Sequence, residues 1–107
     1  MNSYEHTFIT KQDVSDTQAK NLISKYEEII KNNLGEILKI QEWGLRILSH
    51  KIKKNRKGIY FHIKLNGEGK TIHALEKAEN IDDALIRYLT IKVKKHDLEK
   101  NYFEKKD

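Results

Sequence analysis

An α+β fold is expected from this sequence: a four-stranded antiparallel sheet with two helices on one of its faces. Three observations predict it. Ser15 carries a helix-start signal, followed by apolar residues spaced by three and four. Two later segments alternate apolar and polar residues, as half-buried strands do. The elements fall in the order strand, helix, strand, strand, helix, strand.

Residues 4–10 form the first expected strand, closed by the polar stretch Lys11-Gln12-Asp13. Ser15 can accept from the first backbone N–H groups of a helix, and Gln18, three residues on, can reach back. Ala19, Leu22, Ile23, Tyr26, Ile29 and Ile30 then place one apolar stripe on a helix near residues 15–33. Gly35 is the expected stop, because glycine accepts the left-handed conformation past a helix end.

Residues 36–49 read as extended, and Gly44 within them marks a bulge or a close backbone approach. Residues 50–57 read as a basic loop. Over 58–65, Ile59, Phe61, Ile63 and Leu65 face one way and Tyr60, His62 and Lys64 the other. Asn66-Gly67-Glu68-Gly69 is a turn. Ile72, Leu75 and Ala78 mark a short helix near 70–80. Leu85 to Val93 is the last strand, with Leu89, Ile91 and Val93 on one face and Tyr88, Thr90 and Lys92 on the other. Leu22, Ile23 and Tyr26 are expected to pack against Phe61, Ile63 and Ile91.

This order is the split βαβ pattern of the ferredoxin-like βαββαβ sandwich. Residues 1–94 would form the domain and residues 95–107 a polar, mobile tail. Helices on one face leave the other free for a partner, and Tyr60, His62, Lys64, Tyr88, Thr90 and Lys92 are expected there.

Composition narrows the function. A chain of 107 residues suits one domain that can bury a core without cross-links. The absence of cysteine excludes disulfides and thiolate metal sites and fits a reducing compartment. No apolar run approaches the roughly 20 residues of a membrane helix. The start, Met-Asn-Ser-Tyr-Glu-His, has no signal-peptide character. A cytoplasmic protein with no membrane partner is expected. The net charge is +5 and unevenly placed: residues 1–50 carry six Lys/Arg against seven Asp/Glu, residues 51–107 fifteen against nine. Between Glu42 and Glu68 there is no acidic residue, while Arg46, Lys51, Lys53, Lys54, Arg56, Lys57 and Lys64 all fall there. Such a stretch attracts polyanions, although a basic run on its own is also ordinary solvated surface.

Catalytic patterns are missing. His6, His50, His62, His73 and His96 include no pair with metalloprotease spacing. His6 alternates with Tyr4 and Phe8 and is expected as a satisfied core histidine. Gly67 and Gly69 lack the remaining residues of a phosphate loop. Glu76, Glu79, Asp82 and Asp83 are expected as a solvated acidic face. Lys57-Gly58-Ile59-Tyr60-Phe61 invites comparison with the base-stacking strand of RNA-recognition modules. The residues after its glycine do not match that motif, and Phe61 reads as core.

The stretch Trp43-Gly44-Leu45-Arg46-Ile47-Leu48, then Ile52, then Lys57-Gly58-Ile59-Tyr60, resembles the signature of a bacterial family, the sixth protein of the small ribosomal subunit (bS6). Tyr4-Glu5 with Phe8, Leu75-Glu76 and Arg87-Tyr88-Leu89 match its other elements in order, so the likeness spans residues 3–94. The resemblance implies a ferredoxin-like fold, no enzyme activity, no cofactor and no small-molecule substrate. It also implies a place on the central domain of small-subunit ribosomal RNA beside the eighteenth small-subunit protein, ribosomal protein S18. Arg46, Lys51, Lys53, Lys54, Arg56, Lys57, Arg87 and Lys92 are the expected RNA contacts, since guanidinium groups on strands bind phosphate bidentately and loop lysines add long-range attraction. Tyr60 and Tyr88 are the expected anchors for the partner protein.

Two other readings use the same topology. A metabolite-binding regulatory domain that dimerises through its sheet fits poorly with an acid-free stretch. An acylphosphatase-like enzyme needs an arginine in the loop after the first strand, and residues 10–18 hold none.

Overall fold

The structure, a computed structural model, describes residues 1–52 and 54–94, excepting the side chains of Ser49 and Lys51. Lys53 and the tail expected at 95–107 lie outside the described residues. The elements are β1 (Asn2–Lys11), α1 (Asp16–Asn32), β2 (Glu36–Ile52), β3 (Asn55–Gly67), α2 (Gly69–Asn80) and β4 (Leu85–Val93). All neighbouring strands pair antiparallel, in the order β2-β3-β1-β4. This is the ferredoxin-like arrangement the element order predicts.

α1 begins where its capping box lies. Gln18 N–H donates to Ser15 Oγ at 3.2 Å, and Ser15 N–H donates to Gln18 Oε1 at 2.9 Å. Its apolar stripe buries Ala19, Leu22, Tyr26 and Ile30 against Phe8, Phe61, Ile63 and Leu65 of the sheet and Leu75 of α2. Phe8 stacks on Phe61 with ring centroids 5.0 Å apart and meets the edge of Tyr26 at 5.4 Å. These offset and edge-on contacts suit aromatic quadrupoles. Tyr26 Oη donates to Asp82 Oδ2 at 3.1 Å, so its burial leaves the hydroxyl satisfied.

The end of α1 differs from the expectation. The left-handed residue is Leu34, with φ 64°, and not Gly35. Gly35 serves close packing instead: a Cβ there would lie 2.6 Å from Thr71 Cγ2 and 2.7 Å from Ile30 Cγ2. Thr71 fastens the neighbouring helix start, donating to the Asn33 carbonyl and accepting from Glu68 N–H at 3.0 Å. Packing between two helix ends therefore outweighs backbone preference at this position.

The basic loop expected at 50–57 is mostly strand. β2 continues through Ile52, β3 starts at Asn55, and Ile52 pairs with Asn55 across a tight turn with Lys54 at φ 68°. The pairing is irregular between Ile47, opposite Lys57, and Ile52, and where strands pair, backbone groups that a loop would leave to solvent are satisfied. A small second core braces this hairpin: Ile9, Leu48 and Ile86, with Ile52 and Tyr60 packed on them.

The last strand is the main correction. Tyr88 pairs with Phe8, and Thr90 with His6, so both lie on the helix-covered side. Tyr88 packs on the main core, and Lys92, opposite Tyr4, shares that side. Leu89 and Ile91 face away from the helices, each 53% exposed. Ile91 therefore does not pack against Leu22 and Tyr26. The cause is a buried polar cluster on the helix side. His6, fully buried as expected, has Nε2 2.8 Å from Glu79 Oε2 and Nδ1 2.7 Å from Thr90 Oγ1. A threonine facing inward satisfies a buried nitrogen that leucine could not. The same pairing corrects the acidic face, because Glu79 is 2% exposed and Asp82 only partly so, leaving Asp83 in solvent.

Candidate nucleic-acid interface and partner face

The strand register arranges the uncovered sheet face in rows from β2 to β4. One row is Lys39, Lys64, Glu5 and Ile91; the next is Gln41, His62, Thr7 and Leu89; the third is Gly44, Tyr60, Ile9 and Arg87. Two adjoining grooves run over these rows. One, of about 350 Å³, is lined by Glu5, Thr7, Trp43, His62, Leu89, Ile91 and Val93. The other, of about 340 Å³, shares Thr7, Trp43 and Leu89 and extends over Ile9, Tyr60 and Arg87.

Trp43 reaches this face because β2 bulges beside it. The pairing slips between Glu42 and Gly44, and Gly44 takes φ 85°, a conformation glycine adopts without strain. The bulge expected at Gly44 is thus present, and it sets the extra residue, Trp43, over His62. Trp43 Nε1–H donates to Gln41 Oε1 at 3.3 Å.

Beneath Trp43 buried His62 meets the partly buried Glu5. His62 Nε2 is 2.9 Å from Glu5 Oε1, and its Nδ1 is 2.9 Å from Thr7 Oγ1. Burial holds the His62 imidazole below the ordinary histidine range, with Glu5 pulling the other way and Lys64 and His6 adding to the fall. Neutral His62 therefore places its proton on Nε2, toward the acceptor-only carboxylate, and receives the Thr7 hydroxyl proton at Nδ1. The face combines exposed apolar edges with a rigid, internally satisfied polar floor. Such a surface favours a protein partner over a metabolite needing free donors and acceptors.

The basic residues divide into three groups. Arg46, Lys54, Arg56 and Lys57 are exposed together on the β2–β3 hairpin, where Arg46 pairs with Gly58 and Lys57 with Ile47. Lys51 belongs to β2 by backbone only, and Lys53 is outside the described residues. Arg87 is exposed on the uncovered face opposite Ile9, three strand spacings from β2, or about 14 Å. Lys92 lies toward the far end of β4 on the helix side, so the fold does not bring it to the hairpin. Tyr60 stands on the uncovered face as expected, and Tyr88 does not.

Sequence reasoning missed Trp43, Leu89 and Ile91 as parts of the uncovered face. For Trp43 a signal existed, since a bulge at Gly44 breaks the alternation that otherwise assigns faces. For Leu89 and Ile91 none did, because the inward turn of Thr90 depends on His6 and Glu79 meeting across the fold. Among the described residues no cluster of histidine and acidic groups could hold a metal, and no helix is long and apolar enough to cross a membrane.

Comparison with known proteins extends this picture. The family model described as Ribosomal protein S6 matches residues 3–92. The small ribosomal subunit protein bS6 of Pelagibacter ubique (strain HTCC1062) is 54% identical over 107 residues, which is 100% of this chain and 88% of that protein. The bS6 protein of Bartonella tribocorum is 37% identical over 98 residues, covering 92% of this chain and 73% of that one. The crystal structure of 30S ribosomal protein S6 from Thermotoga maritima is similar with a TM-score of 0.80 at 28% identity, over 86% of this chain and 87% of the other.

Proposed function

The chain belongs to the ribosomal protein S6 family, and from that premise we propose that it is a structural protein of the cytoplasmic small ribosomal subunit. It binds the central domain of small-subunit RNA through the β2–β3 hairpin and pairs with ribosomal protein S18 through the uncovered sheet face. Its role is binding, not catalysis.

The observation that carries the RNA reading is the grouping of Arg46, Lys54, Arg56 and Lys57 on one hairpin within a stretch free of acidic residues. RNA phosphates are bound by just such rigid guanidinium and ammonium groups. Arg87 extends the positive surface across the sheet, and the sequence carries two further lysines, Lys51 and Lys53, between Arg46 and Lys54. Lys92, on the other side of the sheet, is left as a peripheral contact.

The partner reading rests on the composition of the uncovered face. Tyr60, Trp43, Leu89 and Ile91 surround the two grooves, and aromatic residues are enriched at interface cores. Tyr60 remains an anchor; Leu89 and Ile91 take the role that the sequence assigned to Tyr88. A domain with a net charge of only +5 is poorly equipped to bind RNA tightly alone. The partner supplies further charge and surface. Titration of a central-domain RNA fragment with the free chain and with the pair tests this. Weak binding by the free chain and much tighter binding by the pair is expected; equal affinities would contradict the cooperative reading.

A further inference from the structure

The β2–β3 hairpin has a second side. Its inner side packs Leu48 and Ile52 onto Ile9, Ile86 and Tyr60. On its outer side Leu45 pairs with Ile59, and Ile47 pairs with Lys57. No helix covers these positions: Leu45 is 52% exposed and Ile47 is 78% exposed.

Isolated exposed apolar residues are common and mean little. Here the setting is unusual. The two lie one repeat of the pleat apart on an edge strand, in a stretch from 43 to 67 without any acidic residue. Exposed Lys57 stands opposite Ile47 on the ridge's own side, and exposed Arg46, between the two in sequence, lies opposite Gly58 on the other side of the strand. The small core behind the hairpin holds the backbone, so the ridge is presented by a braced strand.

We propose that Leu45 and Ile47 form an apolar ridge that lies against the sugar and base surface of the bound RNA, while Lys57 beside the ridge and the hairpin's other cations hold its phosphates. The charge of the hairpin selects a polyanion as the occupant. Among polyanions, a nucleic acid is the one whose charged backbone borders apolar faces of bases and riboses at side-chain distance. An unstacked base or a shallow minor groove offers such a surface, and a strand edge can reach either. The proposal rests on the RNA reading above and assigns to the hairpin a contact that charge alone does not provide.

Such a contact has its own signature. Phosphate contacts release counterions and set the salt dependence of binding, whereas apolar contacts do not. The experiment uses the pair with the eighteenth small-subunit protein and a central-domain RNA fragment, titrated at several salt concentrations. Wild type, Leu45→Ser, Ile47→Ser and Lys57→Ala are compared, with thermal melting of each and affinity for the partner protein measured separately. Ile47→Ser and Leu45→Ser should each weaken RNA binding about fivefold, as loss of partial side-chain burial implies, with unchanged salt slope. Lys57→Ala should lower the slope. Resonances of the Ile47 methyl groups should also show contacts to ribose or base protons in the complex. The proposal is overturned if the serine variants bind RNA as wild type does, if they change the slope, or if they weaken only the partner protein's binding. Failure of the wild-type pair to bind RNA overturns the RNA reading itself, and the ridge with it.

Discussion

Trp43 lies nearly flat on His62, with ring centroids 4.5 Å apart and planes inclined by 12°. The tryptophan comes from the bulged residue of β2 and the histidine from the middle of β3. Their contact covers one face of the His62 ring, and Trp43 walls both grooves of the uncovered face. A backbone irregularity at Gly44 thereby decides what the uncovered face looks like.

That burial gives His62 a pH signature. Its folded-state pKa lies below the ordinary 6.5, so the unfolded chain takes up a proton before the folded one does. The stability associated with neutral His62 is present above about pH 6.5 and is lost as the pH falls toward the folded-state value. Urea midpoints measured at pH 7.5 and 5.5 should differ less in His62→Gln than in wild type. An equal or larger difference in the variant would mean that His62 is not held neutral.

His6 and Glu79 make a buried pair of a different kind. The Thr90 hydroxyl donates to Glu76 Oε2 at 3.1 Å, so its oxygen accepts from His6 Nδ1–H. Nε2 then faces Glu79, whose carboxyl is pushed up by burial and pulled back by His6, and whose Oε1 is buried without a protein partner. His6→Ala should cost about 3–5 kcal/mol, since it strands a buried carboxyl. His6→Leu combined with Glu79→Leu should recover much of that loss, because apolar residues often replace a buried pair at little cost. Denaturant titration of both variants checks this, and a double variant no better than His6→Ala would show that the pair itself is stabilising.

The two faces of the sheet can be told apart by paired substitutions. Leu22→Ala removes a buried side chain of the main core and should cost about 2–5 kcal/mol. Ile91→Ser, on the uncovered face, should change the stability of the free chain by under about 0.5 kcal/mol and weaken the partner protein's binding. A large loss of stability from Ile91→Ser would return β4 to the orientation that its apolar alternation suggests.

That orientation marks the limit of what could be read from residues alone. Element order, the capping box at Ser15, the α1 stripe, the faces of β3 and the bulge at Gly44 are all local, and local periodicity or geometry sufficed for them. Tyr88 and Thr90 could be placed only by knowing that His6, 84 residues before Thr90, needs a hydroxyl beside it. Leu34 carries the left-handed turn because Gly35 is wedged between Ile30 and Thr71, a contact between two helices. The basic hairpin was visible as charge, but its extension as paired strands was not, because lysine-rich segments carry little strand propensity. In each case the hidden part depends on residues distant in sequence.

The central claim is that the β2–β3 hairpin is the RNA surface, and the salt dependence of binding tests it most directly. Lys54, Arg56 and Lys57 are replaced together by alanine, and the RNA affinity of the pair with the eighteenth small-subunit protein is measured from low to high salt. Each phosphate that the variant no longer neutralises should reduce the magnitude of the slope of log affinity against log salt by about 0.9 for duplex-like RNA. A slope shallower by about 2–3, with weaker binding at low salt, is the expected result. An unchanged slope and affinity would mean that the hairpin is solvated surface and that the RNA lies elsewhere on the molecule.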